Sequence, residues 1–352
     1  MNLKKSLTIG VLLCLAGLVL WESYWRTKTD YYTAYLEDDR NLWAEHRAKV
    51  ETATSNDIIL LGASRTGYNF NTHIWEETQG IKPINLSANG KPFTPFFEDI
   101  VYNTDFNGTI VVGMLPVAIF NERRLKSTRQ WVDHYYNRTY SQKLGFVLSK
   151  PLKRHLVMLS SSELNSYNNL DLKALINTIS IDDGRIKSNG FNLVNIGYND
   201  EDRNLIMFPR LTSNLKYQKE ITDQWDKVIP GLPDYSDKIE KKVLSVIDKL
   251  SIQIQTFKAR GGKIVFIRHK AEDGWYKHAK RMMPRDKVWD KFIQTVDCPS
   301  YHFEDYEFMS KYYLPDWSHM NAEDAKTYTR DMVSKLISDG HLIKQQPKPT
   351  RK

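Results

Sequence analysis

The chain has 352 residues, 41% hydrophobic and 12% aromatic, which is enough apolar material for one large domain with insertions and too much for a disordered polymer. Its net charge of +8 is scattered, with no zinc-finger spacing, RNP-type motif or basic stripe, which argues against nucleic acid and fits work beside an anionic membrane or polysaccharide. Two cysteines, Cys14 and Cys298, with Cys14 inside an apolar run, point to neither a structural disulfide nor a zinc site.

Lys4 and Lys5 precede an uncharged, mostly apolar stretch from Ser6 to Trp21. Trp21 and Trp25 fall where an interfacial belt would sit. No small-x-small cleavage site follows, and Leu13 before Cys14 is too large for a lipobox. The pattern predicts an uncleaved anchor over residues 1–26, with the lysines in the cytoplasm and the remainder outside the inner membrane, in the periplasm. A cleaved signal peptide is the alternative. Residues 27–56 are polar with a helical pattern and read as a stalk. Residues 57–340 read as the folded domain, and 341–352 as a disordered tail rich in Lys, Gln and Pro.

From residue 58, short apolar strands alternate with amphipathic helices. Ile58–Gly62, a second strand near 82–87 and a third near 109–115 are separated by helices near 70–80 and 95–104. Later come a helix over 236–259, a strand over 262–268, a helix near 285–296, a short strand near 300–305 and a last helix over 321–340. This rhythm predicts an α/β fold built on a parallel sheet covered on both faces. Residues 121–235 break it with Asn-, Asp- and Ser-rich turns and read as an insertion or cap over the sheet.

In open parallel sheets, ligands bind beyond the carboxyl ends of the strands. Ser64 stands just past the first strand in Gly62-Ala63-Ser64-Arg65. Far along the chain, Asp316 and His319 stand three apart in Leu314-Pro-Asp-Trp-Ser-His, before the last helix. An Asp and a His so spaced can share a hydrogen bond, leaving the other imidazole nitrogen to activate a serine. Each feature also has a plain structural use: Ser64 as the cap of the next helix, Asp316 as another cap, His319 as a surface residue. Arg65 is suited to an anionic substrate or to a salt bridge. Arg268 and His269, at the end of the strand over 262–268, sit on the edge where substrate contacts belong. The carboxylates of 304–308 have no partnered His pattern, so no metal is expected.

Taken together, these blocks resemble the SGNH (GDSL-like) hydrolase superfamily. Gly62-Ala63-Ser64 matches its nucleophile block, Gly90 its oxyanion-hole glycine after the second strand, and Asp316 and His319 its C-terminal D-x-x-H block. The match covers about 58–116 and 261–338. It implies a three-layer α/β/α, flavodoxin-like sheet, Ser64 as nucleophile, His319 as base and Asp316 as its orienting partner. The amides of Ser64 and Gly90 become oxyanion donors, and no cofactor is called for. One block departs: the strand over 109–115 runs into Gly113-Met114-Leu115-Pro116, where the family usually places an Asn, and Asn89 is the nearest substitute. The resemblance extends to membrane-anchored proteins that acylate or deacylate a cell-envelope polysaccharide, often beside a polytopic membrane acyltransferase. A catalytically weak scaffold or polysaccharide-binding subunit is the alternative.

Overall fold

The apolar run Ile58–Gly62 forms β1, fully buried along its length. It pairs with β2 (Ile84–Asn85) on one side and β3 (Thr109–Gly113) on the other, with Leu60 opposite Val111 and Gly62 opposite Gly113. Two short strands, β4 (Gly197–Asn199) and β5 (Leu205–Met207), lie outside this sheet; β6 (Lys263–Arg268) and β7 (Ser300–His302) complete it. The resulting order, β2-β1-β3-β6-β7, is parallel throughout, and chain direction across the sheet reverses between β1 and β3. The structure is a computed structural model that describes residues 3–28, 34–159 and 196–345.

Side chains alternate across a strand, so the sheet feeds two cores. Ile59, Leu61, Ile110, Val112 and Phe266 meet one core, with α5 (Thr94–Asn103) and the helix Asp237–Ala259 packed over them. Ile58, Leu60, Val111, Val265 and Ile267 meet the other, covered by α4 (Thr72–Gln79) and the last helix, Ala322–Ser338. Helices therefore lie on both faces of the parallel sheet, as the alternation predicts. Local signals set the ends of these helices. Asn71 accepts from the His73 and Ile74 amides to cap α4, which stops at Gly80 in the left-handed conformation (φ 106°). Asn321 caps the last helix in the same way through Glu323 and Asp324.

The chain separates into two units, one of residues 38–139 with 199–352 and the other of residues 1–37 with 140–198. This revises three boundaries. Residues 40–49, expected in a stalk, form α2 (Arg40–Lys49) and belong to the α/β unit. Trp43 is fully buried in the first core, stacks on Phe96 at 4.4 Å and donates its indole N–H to the Leu86 carbonyl. Arg47, also buried, binds Asp99 at 2.5 Å and Tyr136 at 3.0 Å, joining α2 to α5 and to α7 (Glu122–Asn137). The expected insertion over 121–235 is divided, since only 140–198 leaves the α/β unit. Finally, 341–345 pack against the domain: Leu342 is buried, and Gln79 donates to the Ile343 carbonyl at 2.7 Å. The remainder of the expected tail, from residue 346, lies outside the described residues.

In the other unit, α1 (Leu3–Lys28) contains an 18-residue window with a mean hydropathy of 1.9 and is long and apolar enough to cross a membrane or to act as a signal sequence. Beyond its apolar part, the Glu22 carboxylate accepts from the amides of Val157 and Met158 at 2.9 Å each, and Trp25 packs on Val157. α8 (Tyr140–His155) leaves Tyr140, Leu144, Val147, Leu148 and Leu152 exposed.

The placement of α2 has a direct check. Trp43→Ala should lower unfolding free energy by about 3–5 kcal/mol in denaturant titration, the usual loss for a buried Trp truncation. A change within about 0.5 kcal/mol, as for an exposed residue, would return this segment to the solvent as a stalk.

Candidate active site

Ser64 opens α3 (Ser64–Asn69) directly after β1. The turn is tight because glycine occupies both strand ends there. A Cβ on Gly62 or Gly113 would come within 1.9 or 1.8 Å of the Thr66 hydroxyl, so α3 can lie close on the sheet only with both glycines present. Across from Ser64, the segment after β2 is held to β1 by the Leu86 amide on the Leu60 carbonyl and the Ala88 amide on the Gly62 carbonyl. This carries Gly90, in the left-handed conformation (φ 67°), past the same sheet edge.

The loop before the last helix supplies the remaining groups. The Asp316 carboxylate is fully buried, and its Oδ1 accepts from the Ser318 and His319 amides at 3.1 and 2.8 Å. Its Oδ2 lies 2.6 Å from His319 Nδ1. With Asp316 ionised, Nδ1 carries the proton and donates, which leaves Nε2 to accept from the Ser64 hydroxyl at 2.7 Å. Burial works to raise the Asp316 carboxyl, but the His319 ring and these hydrogen bonds outweigh it and hold the carboxyl below its ordinary range. The backbone is strained beside these groups: Trp317 has φ 65°, a conformation that costs a non-glycine residue about 1–3 kcal/mol. The Tyr68 ring packs 4.6 Å from the imidazole, and the Asn69 side chain accepts from the Met320 amide.

These contacts set aside the capping and surface readings of these residues. No side chain caps α3, and the Ser64 hydroxyl turns to His319 instead of the helix amides. Asp316 caps no helix either, because Asn321 does that for the last one. The structure thus brings Ser64, His319 and Asp316 together in hydrogen-bonded series. Gly90 is partly exposed, and a Cβ there would meet only Arg124 at 3.8 Å. Asn89 is exposed with its backbone amide bound to Asp38, so that amide is already engaged. Among the described residues Arg65 forms no salt bridge; its Nε donates to Ser318 Oγ at 3.0 Å, beside the imidazole. Arg268 reaches the same side of the sheet and is buried.

His269 sits deeper than a substrate-contact role requires. It is 2% exposed, its Nδ1 lies 3.0 Å from the Tyr328 hydroxyl, and its other edge lies against Gly113. Burial, then the nearby Arg65 and Arg268, lower its pKa to about 3. Ser318, which links Arg65 to the histidine loop, was not visible as a functional residue in the sequence. Its only signal was its place between Asp316 and His319. Comparison with protein-family models, with curated proteins and with solved structures finds no match to this chain.

The buried, neutral His269 makes stability depend on pH. An unfolded histidine takes up its proton near pH 6.5, whereas folded His269 resists until about pH 3. Stability contributed by the neutral ring is complete above pH 6.5 and falls as pH drops toward 3. Between pH 7 and 5 the wild type should lose up to about 2 kcal/mol more than His269→Gln in urea titrations. Equal losses in the two proteins would show that His269 is protonated in the fold.

Proposed function

We propose that the protein is an SGNH-like serine acyltransferase or esterase, held in the inner membrane by α1 and acting outside the cytoplasm on a cell-envelope polysaccharide. The single observation that carries this reading is the hydrogen-bonded series from Ser64 Oγ through His319 to Asp316, at 2.7 and 2.6 Å. Ser64 attacks the acyl carbonyl as His319 Nε2 takes its proton, and Asp316 orients the ring and stabilises the imidazolium. The amides of Ser64 and Gly90 face the developing oxyanion. Collapse expels the alcohol, which leaves with the proton from His319, and an acyl ester remains on Ser64. A water or sugar hydroxyl then attacks that ester, with His319 again as base, and frees the serine. Acyl-CoA is absent outside the cytoplasm, so transfer to a sugar requires acyl groups delivered across the membrane, for which a polytopic membrane acyltransferase is the fitting partner. Ester hydrolysis requires only water.

A second reading, a scaffold or polysaccharide-binding subunit with little catalysis, is favoured by one observation. The loop after β3 contains Met114, Leu115 and Pro116 where an Asn donor belongs, and the backbone amide of Asn89 is bound to Asp38. Loss of one oxyanion donor costs about 10²–10³ in rate.

Substitution separates the two. Ser64→Ala should lower polymer acylation or ester turnover at least about 10³-fold while membrane level and folding are kept. His319→Ala should match it, because members of such a series act as a unit. Asp316→Asn should give a comparable or milder loss through the wrong tautomer. Full polymer modification in cells carrying Ser64→Ala at normal protein level would establish the scaffold.

A further inference from the structure

Beside Arg65 lies a narrow cleft whose walls include Arg268, Trp275, His278, Val117 and Met283. Its polar lining is rich in donors. Arg65 Nη1, Trp275 Nε1 and both His278 ring nitrogens, one of which donates in the neutral ring, are buried and have no hydrogen-bond partner among the described residues. Arg65 is 4% exposed, Arg268 6% and His278 1%. Neither guanidinium forms an ion pair among the described residues. Arg268 donates only to the His269 carbonyl, at a long 3.4 Å.

Buried charges are normally paired, and buried donors are normally satisfied. Here two guanidiniums share one cleft and repel each other. Burial, then Arg268, lowers Arg65 to about 9, and burial lowers Arg268 to about 10, so both remain cations at neutral pH. No carboxylate lines the cleft. Water can satisfy the neutral donors, but only an anion also offsets the two buried charges.

We propose that this cleft is a subsite for one oxyanion, a carboxylate or phosphate carried by the acyl acceptor and held by the residue that follows the nucleophile. The placement of that anion on an acyl acceptor rests on the acyl-transfer reading; the anion site itself rests on the donors alone. Guanidinium forks match the paired oxygens of either group, and the apolar Val117 and Met283 wall keeps water from weakening the contact. Arg65 also holds Ser318 beside His319, so an anion on Arg65 would sit one residue from Ser64 and fix the position of a nearby sugar hydroxyl. The acceptor polymer would then be acidic, and neutral glycans would be poor substrates.

Calorimetric titration of full-length Ser64→Ala protein in detergent tests this without turnover. Glucuronate supplies the carboxylate, glycerol phosphate the phosphate, and galactose neither. At least one anion should bind with one site per chain, more weakly at higher salt, and the tighter one identifies the source; galactose should not bind. Arg268→Met, made in the same background, should weaken anion binding at least about ten-fold. Trp275→Phe, which keeps an aromatic ring but removes the indole N–H with its five-membered ring, should weaken it several-fold and serves if the arginine variant does not fold. Failure of both anions to bind, or unchanged affinity in the folded variants, overturns the subsite. If wild-type protein meanwhile turns over neutral esters through Ser64, the acyl-transfer reading survives that failure. Anion binding to a wild type with no Ser64-dependent turnover would leave the subsite standing and remove the enzyme.

Discussion

The buried Asp316 carboxylate organises the site, because its two oxygens hold three donors that would otherwise be free. One oxygen gathers the Ser318 and His319 amides and shapes the loop; the other takes the Nδ1 proton of His319. The loop geometry and the tautomer of the ring therefore have the same cause. A protonated carboxyl would lose the charge that keeps Nδ1 a donor, and the hydroxyl of Ser64 would face the wrong nitrogen. The strained backbone at Trp317 is consistent with a loop held by side-chain contacts against its own preference.

Around that carboxylate the charges are unevenly placed. Asp316 is met by His319, and Arg65 stands nearby without forming an ion pair with it. Arg65 and Arg268 bring two positive charges to the same buried region, and His269, directly after β6, stays neutral near them. The site is thus electropositive, although the net charge of the chain gives no hint of it.

The parts of the fold legible in the sequence are those with local causes. The run Ile58–Gly62 reads as a buried strand because it is short, apolar and ended by small residues, and Asp316 and His319 are near enough in sequence for one loop to join them. Other features depend on contacts between distant segments. α2 reads as a polar stalk because His46 and Arg47 look solvated, yet Arg47 is neutralised by Asp99, more than fifty residues away, and Trp43 is buried in the core. Residues 341–345 look like a tail because their anchoring partner, Gln79, is on another helix. That Arg65 and Arg268 have no ion-pair partner among the described residues is a property of what does not surround them, which no pattern of residue types records. Trp275 and His278 look like ordinary helix residues, yet their side-chain nitrogens are buried without partners among the described residues.

The central claim is that His319 and Asp316 make Ser64 a nucleophile, and covalent trapping addresses it most directly. The full-length protein would be incubated with a small alkyl fluorophosphonate, and its intact mass and peptides measured. One phosphonyl group per chain, on the peptide containing Ser64, and none in His319→Ala over the same time, is the expected result. No adduct under conditions that trap a known serine hydrolase, or equal labelling with and without His319, would contradict it.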